Sequence, residues 1–137
     1  MSALYRPDAT FEDSTFSLRG PAIADMWRMF CRPAEGLRIE YSSITADDRY
    51  GSAHWEAFYR FPATSRAVHN VIDARFEFVG GLIAHHRDVF DMYRWTRQAL
   101  GSPGLALGWT PYFQARVRSQ AASQLRRFQQ CRDHPQP

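Results

Sequence analysis

Apolar and polar residues alternate with a period of two through the middle of this chain, and the period becomes helical on either side. Ile23, Met26, Trp27 and Phe30 fall at i, i+3, i+4 and i+7, which predicts a short helix from Pro21 to Cys31 with the proline in its first turn. Strand signals follow. Leu37, Ile39 and Tyr41 alternate with Arg38, Glu40 and Ser42. Ala53, Trp55, Ala57, Tyr59 and Phe61 then share one face against His54, Glu56 and Arg60, and Pro62 to Ser65 turns the chain. The next run, Val68 to Phe78, sets Val68, Asn70, Ile72, Ala74, Phe76 and Phe78 on one side. Val79-Gly80-Gly81 leads into a last strand, Leu82 to Phe90.

Helical spacing then returns. Asp91 suits the N-cap of a helix through Trp95 to Leu100, stopped by Gly101 and Pro103. Ser102 to Thr110 reads as a loop, although Leu105, Leu107 and Trp109 make it more apolar than a free linker. A final helix from about Pro111 carries Phe113, Val117, Ala121, Leu125 and Phe128 as a stripe. The total is one helix, three or four antiparallel strands in meander order, and two helices. This predicts a single α+β domain over residues 1–132, followed by a flexible tail over 133–137, in which helices cover one face of a curved antiparallel sheet.

With 137 residues, 45% of them apolar and 15% aromatic, the chain can bury a substantial core. The net charge of +3 comes from seventeen basic residues, all arginine, and Asn70 is the only asparagine. A bias against AT-rich codons accounts for both features. From Pro111 onward there are five arginines against one acid, Asp133, without the aromatic–basic interleaving that marks a nucleic-acid site, so a solvated helix face is expected rather than a nucleic-acid or membrane surface. Cys31 and Cys131 stand alone and are expected as reduced thiols. No secretory or membrane-spanning stretch is visible, which points to a cytoplasmic protein.

The candidate chemistry starts at Asp8-Ala9-Thr10-Phe11-Glu12-Asp13. In an extended chain Asp13 leaves the backbone on the same face as Phe11. A carboxyl against apolar walls has a raised pKa and can shuttle protons. Asp13 can equally cap a turn or pair with Arg19. His86 and Asp88 share a strand face but lack a third ligand, so no metal is expected. Trp27, Trp55, Tyr59 and Phe90 are candidate pocket walls, and Asn70 and His86 candidate polar contacts.

The stretches Tyr5 to Gly20, Ile23 to Phe30, and the strands ending His86-Arg87-Asp88-Val89-Phe90-Asp91 resemble the nuclear transport factor 2-like superfamily, which includes the SnoaL-like proteins, ketosteroid isomerases and limonene epoxide hydrolases. The resemblance covers most of residues 5–100. It implies a cone-shaped, cystatin-like roll around a deep pocket, usually in a homodimer, here with the family's first helix missing. It further implies a small apolar ligand, no cofactor, and a function as an acid/base isomerase, cyclase or hydrolase, or as a non-catalytic ligand-binding or dimerisation module.

Both catalytic relatives imply that Asp13 lies at the pocket. The isomerase resemblance makes Asp73, in Val71-Ile72-Asp73, its partner. The epoxide-hydrolase resemblance makes it Asp88, with Asn70 and Ile72 inward, although Trp55 and Ala57 stand where that family has an arginine and an aspartate. Asp73 shares its face with His69, Arg75 and Glu77, as on a solvated surface. A two-residue Gly80-Gly81 loop would set Asp73 opposite Asp88. A three-residue loop would set Ile72 opposite Asp88 and Asp73 opposite Arg87. The second register gives Asp73 an ion pair, favouring Asp13 and Asp88 as the catalytic pair. Without the first helix, an apolar sheet face needs cover from the helix at Pro111 or from a second subunit.

Overall fold

The long alternating runs form strands because β-branched and aromatic residues on one face can be buried while their polar neighbours stay in water. In the computed structural model, which describes residues 2–32 and 36–133, these are β3 (Arg38–Ala46), β4 (Tyr50–Arg60), β5 (Ala67–Val79) and β6 (Leu82–Val89). They make the expected antiparallel meander. Two strands at the N-terminus extend it: β1 (Tyr5–Glu12) lies parallel to β6, and β2 (Ser17–Arg19) pairs antiparallel with β1. The sheet order is β2-β1-β6-β5-β4-β3, a curved, open six-stranded sheet with helices against it.

Helices α1 (Pro21–Cys31), α2 (Met92–Leu100) and α4 (Pro111–Asp133) form where the periodicity predicts them. The expected loop at Ser102–Thr110 instead folds its first half into a short helix, α3 (Ser102–Leu107). Gly104 allows α3 to meet α2, since a Cβ there would lie 2.0 Å from the carbonyl oxygen of Thr96. A tail is predicted from residue 133, but α4 continues through Asp133; the rest of that stretch, residues 134–137, lies outside the described residues. Among the described residues no helix is long and apolar enough to cross a membrane.

The main core cluster joins Ala9 and Phe11 of β1, Phe16, Ile23 and Met26 of α1, and Leu125 of α4. Ala121 packs against it, so the helix from Pro111 supplies cover on this side of the sheet. A buried carboxylate fastens α4 to α1. Asp25 is 2% exposed; its Oδ1 accepts from Arg28 (3.1 Å) and from Arg132, and its Oδ2 from Gln129 (3.0 Å). At the opposite edge β3 stays uncovered, with Ile39 and Tyr41 exposed.

The β5–β6 hairpin corrects both expected registers. Val79 pairs with Leu82 across a two-residue Gly80-Gly81 turn, whose residues both have positive φ (61° and 77°), as a primed turn requires. The register then shifts between Phe78↔Ile83 and Glu77↔His85, leaving Ala84 as the extra residue of a bulge. Beyond it Ala74 opposes Asp88, and Asp73 opposes Val89. The expected Asp73–Arg87 pair does not form; Asp73 lies on the outer face, bonded to His54 Nδ1 at 2.8 Å. His86 and Asp88 share the inner face with Ala74 and Phe76.

Asp91 caps α2 as predicted, its Oδ1 accepting from the Arg94 N–H at 3.0 Å. Asp91→Ala is expected to cost about 1 kcal/mol, seen as a melting temperature lower by roughly 3 °C. An unchanged melting curve would show that this cap contributes nothing to stability.

Candidate functional site

Parallel pairing of β1 with β6 assembles the site. Phe11 is level with His86 and Glu12 with Arg87, so the next residue, Asp13, emerges level with Asp88. His86 and Asp88 are 6% and 5% exposed, and His86 Nε2 lies 2.7 Å from Asp88 Oδ1. The other ring nitrogen, Nδ1, is 2.7 Å from the hydroxyl of Tyr5, which also accepts from the indole N–H of Trp27 at 3.3 Å. Aromatic rings enclose the imidazole. Phe11 meets it edge-on at 4.9 Å, Phe76 lies 4.4 Å away, and Trp27 stacks at 6.2 Å.

Asp13 both caps a turn and faces this group. Its Oδ1 accepts the N–H groups of Thr15 and Phe16, each at 2.6 Å, while its own N–H donates to the Phe16 carbonyl at 2.9 Å. Arg118 of α4 donates to the Ser14 carbonyl at 2.7 Å and holds the turn from outside. Desolvation by burial is the largest influence on the carboxyl and raises its pKa from 3.8 to about 6. The two N–H groups pull it down, the charge of Asp88 pushes it up, and His86 lowers it slightly. A carboxyl titrating near 6 is mainly the base at physiological pH while its acid form stays within easy reach, which suits a group that takes up and returns a proton.

The other predicted site residues divide by position. Trp27 lies beside the acids and meets Trp55 with ring centroids 6.4 Å apart. Phe90 follows β6, its carbonyl 3.4 Å from the Ser14 hydroxyl, and so borders the Asp13 turn. Asn70 is on the inner face opposite Ala57, but four residues along β5 from Ala74, the partner of Asp88. At the rise of a strand that is roughly 13 Å. Tyr59, opposite Val68, is farther still; its hydroxyl accepts from the Trp95 indole at 2.8 Å, and burial raises its pKa. The structure therefore brings Asp13, His86, Asp88, Trp27 and Trp55 together, borders them with Phe90, and leaves Asn70 and Tyr59 apart.

Tyr5 is the residue that sequence reasoning passed over. It falls in phase with Ala9, Phe11 and Asp13 along β1, and a tyrosine in phase with buried positions must find a partner for its hydroxyl. Two open hollows have volumes of about 540 and 430 Å³; neither is lined by Asp13 or Asp88, but the second reaches His86 and Phe76. The first is near the β3–β4 turn around Tyr50, Ser52 and Arg75, and the second around Thr10, Arg75, His85 and Arg87. Among the described residues no cluster of three or more His, Cys, Asp or Glu side chains is arranged to hold a metal ion.

Comparison with known proteins agrees with this architecture. Residues 1–86 match the SnoaL-like domain family. A protein with a ketosteroid isomerase-like fold from Catenulispora acidiphila, in complex with trimethylamine, superposes with a TM-score of 0.63 at 14% identity, covering 80% of this chain and 84% of that one. An LEH-like epoxide hydrolase from M. tuberculosis gives 0.54 at 22% identity, covering 77% of each chain. An NTF2-like protein of unknown function from Cytophaga hutchinsonii gives 0.57 at 11% identity, over 66% of this chain and 81% of that one. At these identities the likeness is one of fold. No curated protein matches the sequence.

Proposed function

The chain belongs to the SnoaL-like domain family, of the NTF2-like superfamily, and from that premise we propose that it binds a small, largely apolar molecule against its inner sheet face and transfers a proton on it. Asp13 is the general acid and base. Asp88, bonded to His86, is the fixed charge beside it. The observation carrying this reading is the Asp13 carboxyl, raised to about 6 next to a buried His86–Asp88 pair among Phe11, Trp27 and Phe76. Isomerisation, cyclisation and hydrolysis of an apolar substrate all use such a group. A substrate touching both Asp88 and Asn70 would be roughly 13 Å long.

A second reading is a ligand-binding module without chemistry. It is favoured by the structural partner each group already has: Asp13 caps its own turn, and His86 and Asp88 satisfy one another. Proton exchange separates the two. In D2O, with a panel of small cyclic ketones as probes, the protein is expected to exchange the hydrogens α to the carbonyl, with a rate that rises through pH 6 and is at least 100-fold lower in Asp13→Asn. Exchange that is undiminished in that variant defeats the catalytic reading. So does a carboxyl ¹³C titration of Asp13 with a midpoint near 4.

A further inference from the structure

We infer that Tyr5, with Trp27 behind it, is a positioning residue: it fixes the proton of His86 on Nε2, so that Asp88 stays a charged acceptor and Asp13 is left to exchange protons. This rests on the proton-transfer reading above. Four groups stand in line. Trp27 Nε1 is 3.3 Å from Tyr5 Oη, Tyr5 Oη 2.7 Å from His86 Nδ1, and His86 Nε2 2.7 Å from Asp88 Oδ1. The two ends have fixed roles, because an indole N–H only donates and an ionised carboxylate only accepts. Trp27 therefore donates to the Tyr5 oxygen, and the Tyr5 O–H is turned toward Nδ1. Nδ1 accepts, the single proton of the neutral ring sits on Nε2, and Asp88 receives it. Every donor in the line then has an acceptor.

A doubly protonated ring breaks this order. Its Nδ1–H would point at a phenol oxygen already taking the indole N–H, and the phenol's own proton would have no acceptor in the line. The groups facing the imidazole are Tyr5 and Phe11 of β1, Asp13 of the following turn, Trp27 of α1, Phe76 of β5 and Asp88 of β6. The aromatic faces and Asp88 would attract a cation, so the direction of the Tyr5 bond is what keeps the ring neutral. Tyr5 itself remains a phenol, since burial pushes its hydroxyl up to about 12. The same orientation gives Asp88 a permanent N–H partner, whereas Asp13 has only the backbone of its turn.

Histidine ¹⁵N spectra of the full chain test the assignment directly. His86 is expected as the Nε2–H tautomer at pH 7, with Nδ1 at the shift of a hydrogen-bonded acceptor. In Tyr5→Phe the Nδ1 resonance moves toward that of a free lone pair. The ring then populates the Nδ1–H tautomer as well, and the Nε2 resonance moves away from that of a full N–H donor. Trp27→Phe keeps the hydroxyl but removes the donor-only end, so the same changes appear at smaller size even if Tyr5→Phe does not fold. An Nδ1–H tautomer or an imidazolium in the unmodified protein at pH 7 overturns the inference, as do unchanged Nδ1 resonances in the variants. If His86 behaves as expected while Asp13 titrates near 4, the proton-transfer reading falls and the positioning role of Tyr5 stands.

Discussion

Replacing Asp13 with asparagine makes the protein more stable at pH 8 by about 2 kcal/mol, and less stable by about 1 kcal/mol below about pH 3.5. The cause is the carboxyl's folded pKa of about 6 against 3.8 in an unfolded chain. Below 3.8 both states hold the proton and there is no penalty. Between 3.8 and 6 the folded state retains a proton that the unfolded state has released, so stability falls as pH rises through this window. Above 6 the whole penalty is present, corresponding to roughly 3 kcal/mol. Asparagine has no charge to desolvate and still offers an Oδ1 to the N–H groups of Thr15 and Phe16. Its extra amide protons need partners, which offsets part of the gain. Urea unfolding of both proteins at pH 3.5, 5 and 8 gives the comparison, and subtracting one from the other removes every other titrating group. A variant no more stable than the parent at pH 8 would mean that Asp13 is not held at a cost. A variant both more stable and inactive would locate the same carboxyl on both sides of a stability–activity trade-off.

Asp25→Ala is expected to destabilise the fold by about 3 kcal/mol and to loosen the end of α4 first. Removing one partner of a buried ion pair typically costs about 3–5 kcal/mol. Here the arginine partners moderate it, because the Arg28 and Arg132 side chains are 55% and 46% exposed and can return to water once Asp25 is gone. What is lost is the junction itself: beyond Leu125, α4 is held to α1 by Gln129 and Arg132 on this carboxylate and by the Arg32 guanidinium over the Phe128 ring. Hydrogen exchange should therefore accelerate from Gln124 to Asp133 before the sheet is affected, and trypsin should cut first at Arg126 or Arg127. Uniform acceleration across the whole chain would instead make Asp25 part of the global core. Protection unchanged in α4 would remove it from the account of how that helix is held.

The meander, the three longer helices and the inward face of β5 were legible because each follows from a local period, a cap or a turn. Asp91, Gly101, Pro111 and Gly80-Gly81 do in the structure what their types predict. Asp13 was legible in the same way, as an acid in phase with Phe11. Other features were not local. β1 and β6 meet across more than seventy residues, and nothing in Tyr5 to Glu12 announces a parallel neighbour. The contact of Tyr5 with His86 depends on that pairing. The α3 helix contains Pro103 and Gly104, which read as punctuation until α2 packs against the glycine. The bulge after the hairpin centres on Ala84, a residue type with no preference for bulges, so parity could favour Asp88 over Asp73 while the two proposed registers missed by one residue and by two.

That bulge makes the site depend on strand register as well as on residue identity. Were Ala84 paired with Glu77 instead of looped out, the tight turn would continue its initial pairing, Asp88 would lie opposite Asp73, and the His86–Asp88 pair would rotate to the outer face, bringing His85 and Arg87 inward. No side chain of the site would have changed. Deleting Ala84 would instead remove the bulge and carry the ladder from Val79↔Leu82 straight to Phe76↔His86 and Ala74↔Asp88, so the buried dyad requires that the extra residue be looped out, not that it be present. A slip of the ladder by one residue is enough to switch between a sheet with this dyad inside and one with it outside. Two relatives could then share the same His-x-Asp letters and present them to opposite sides.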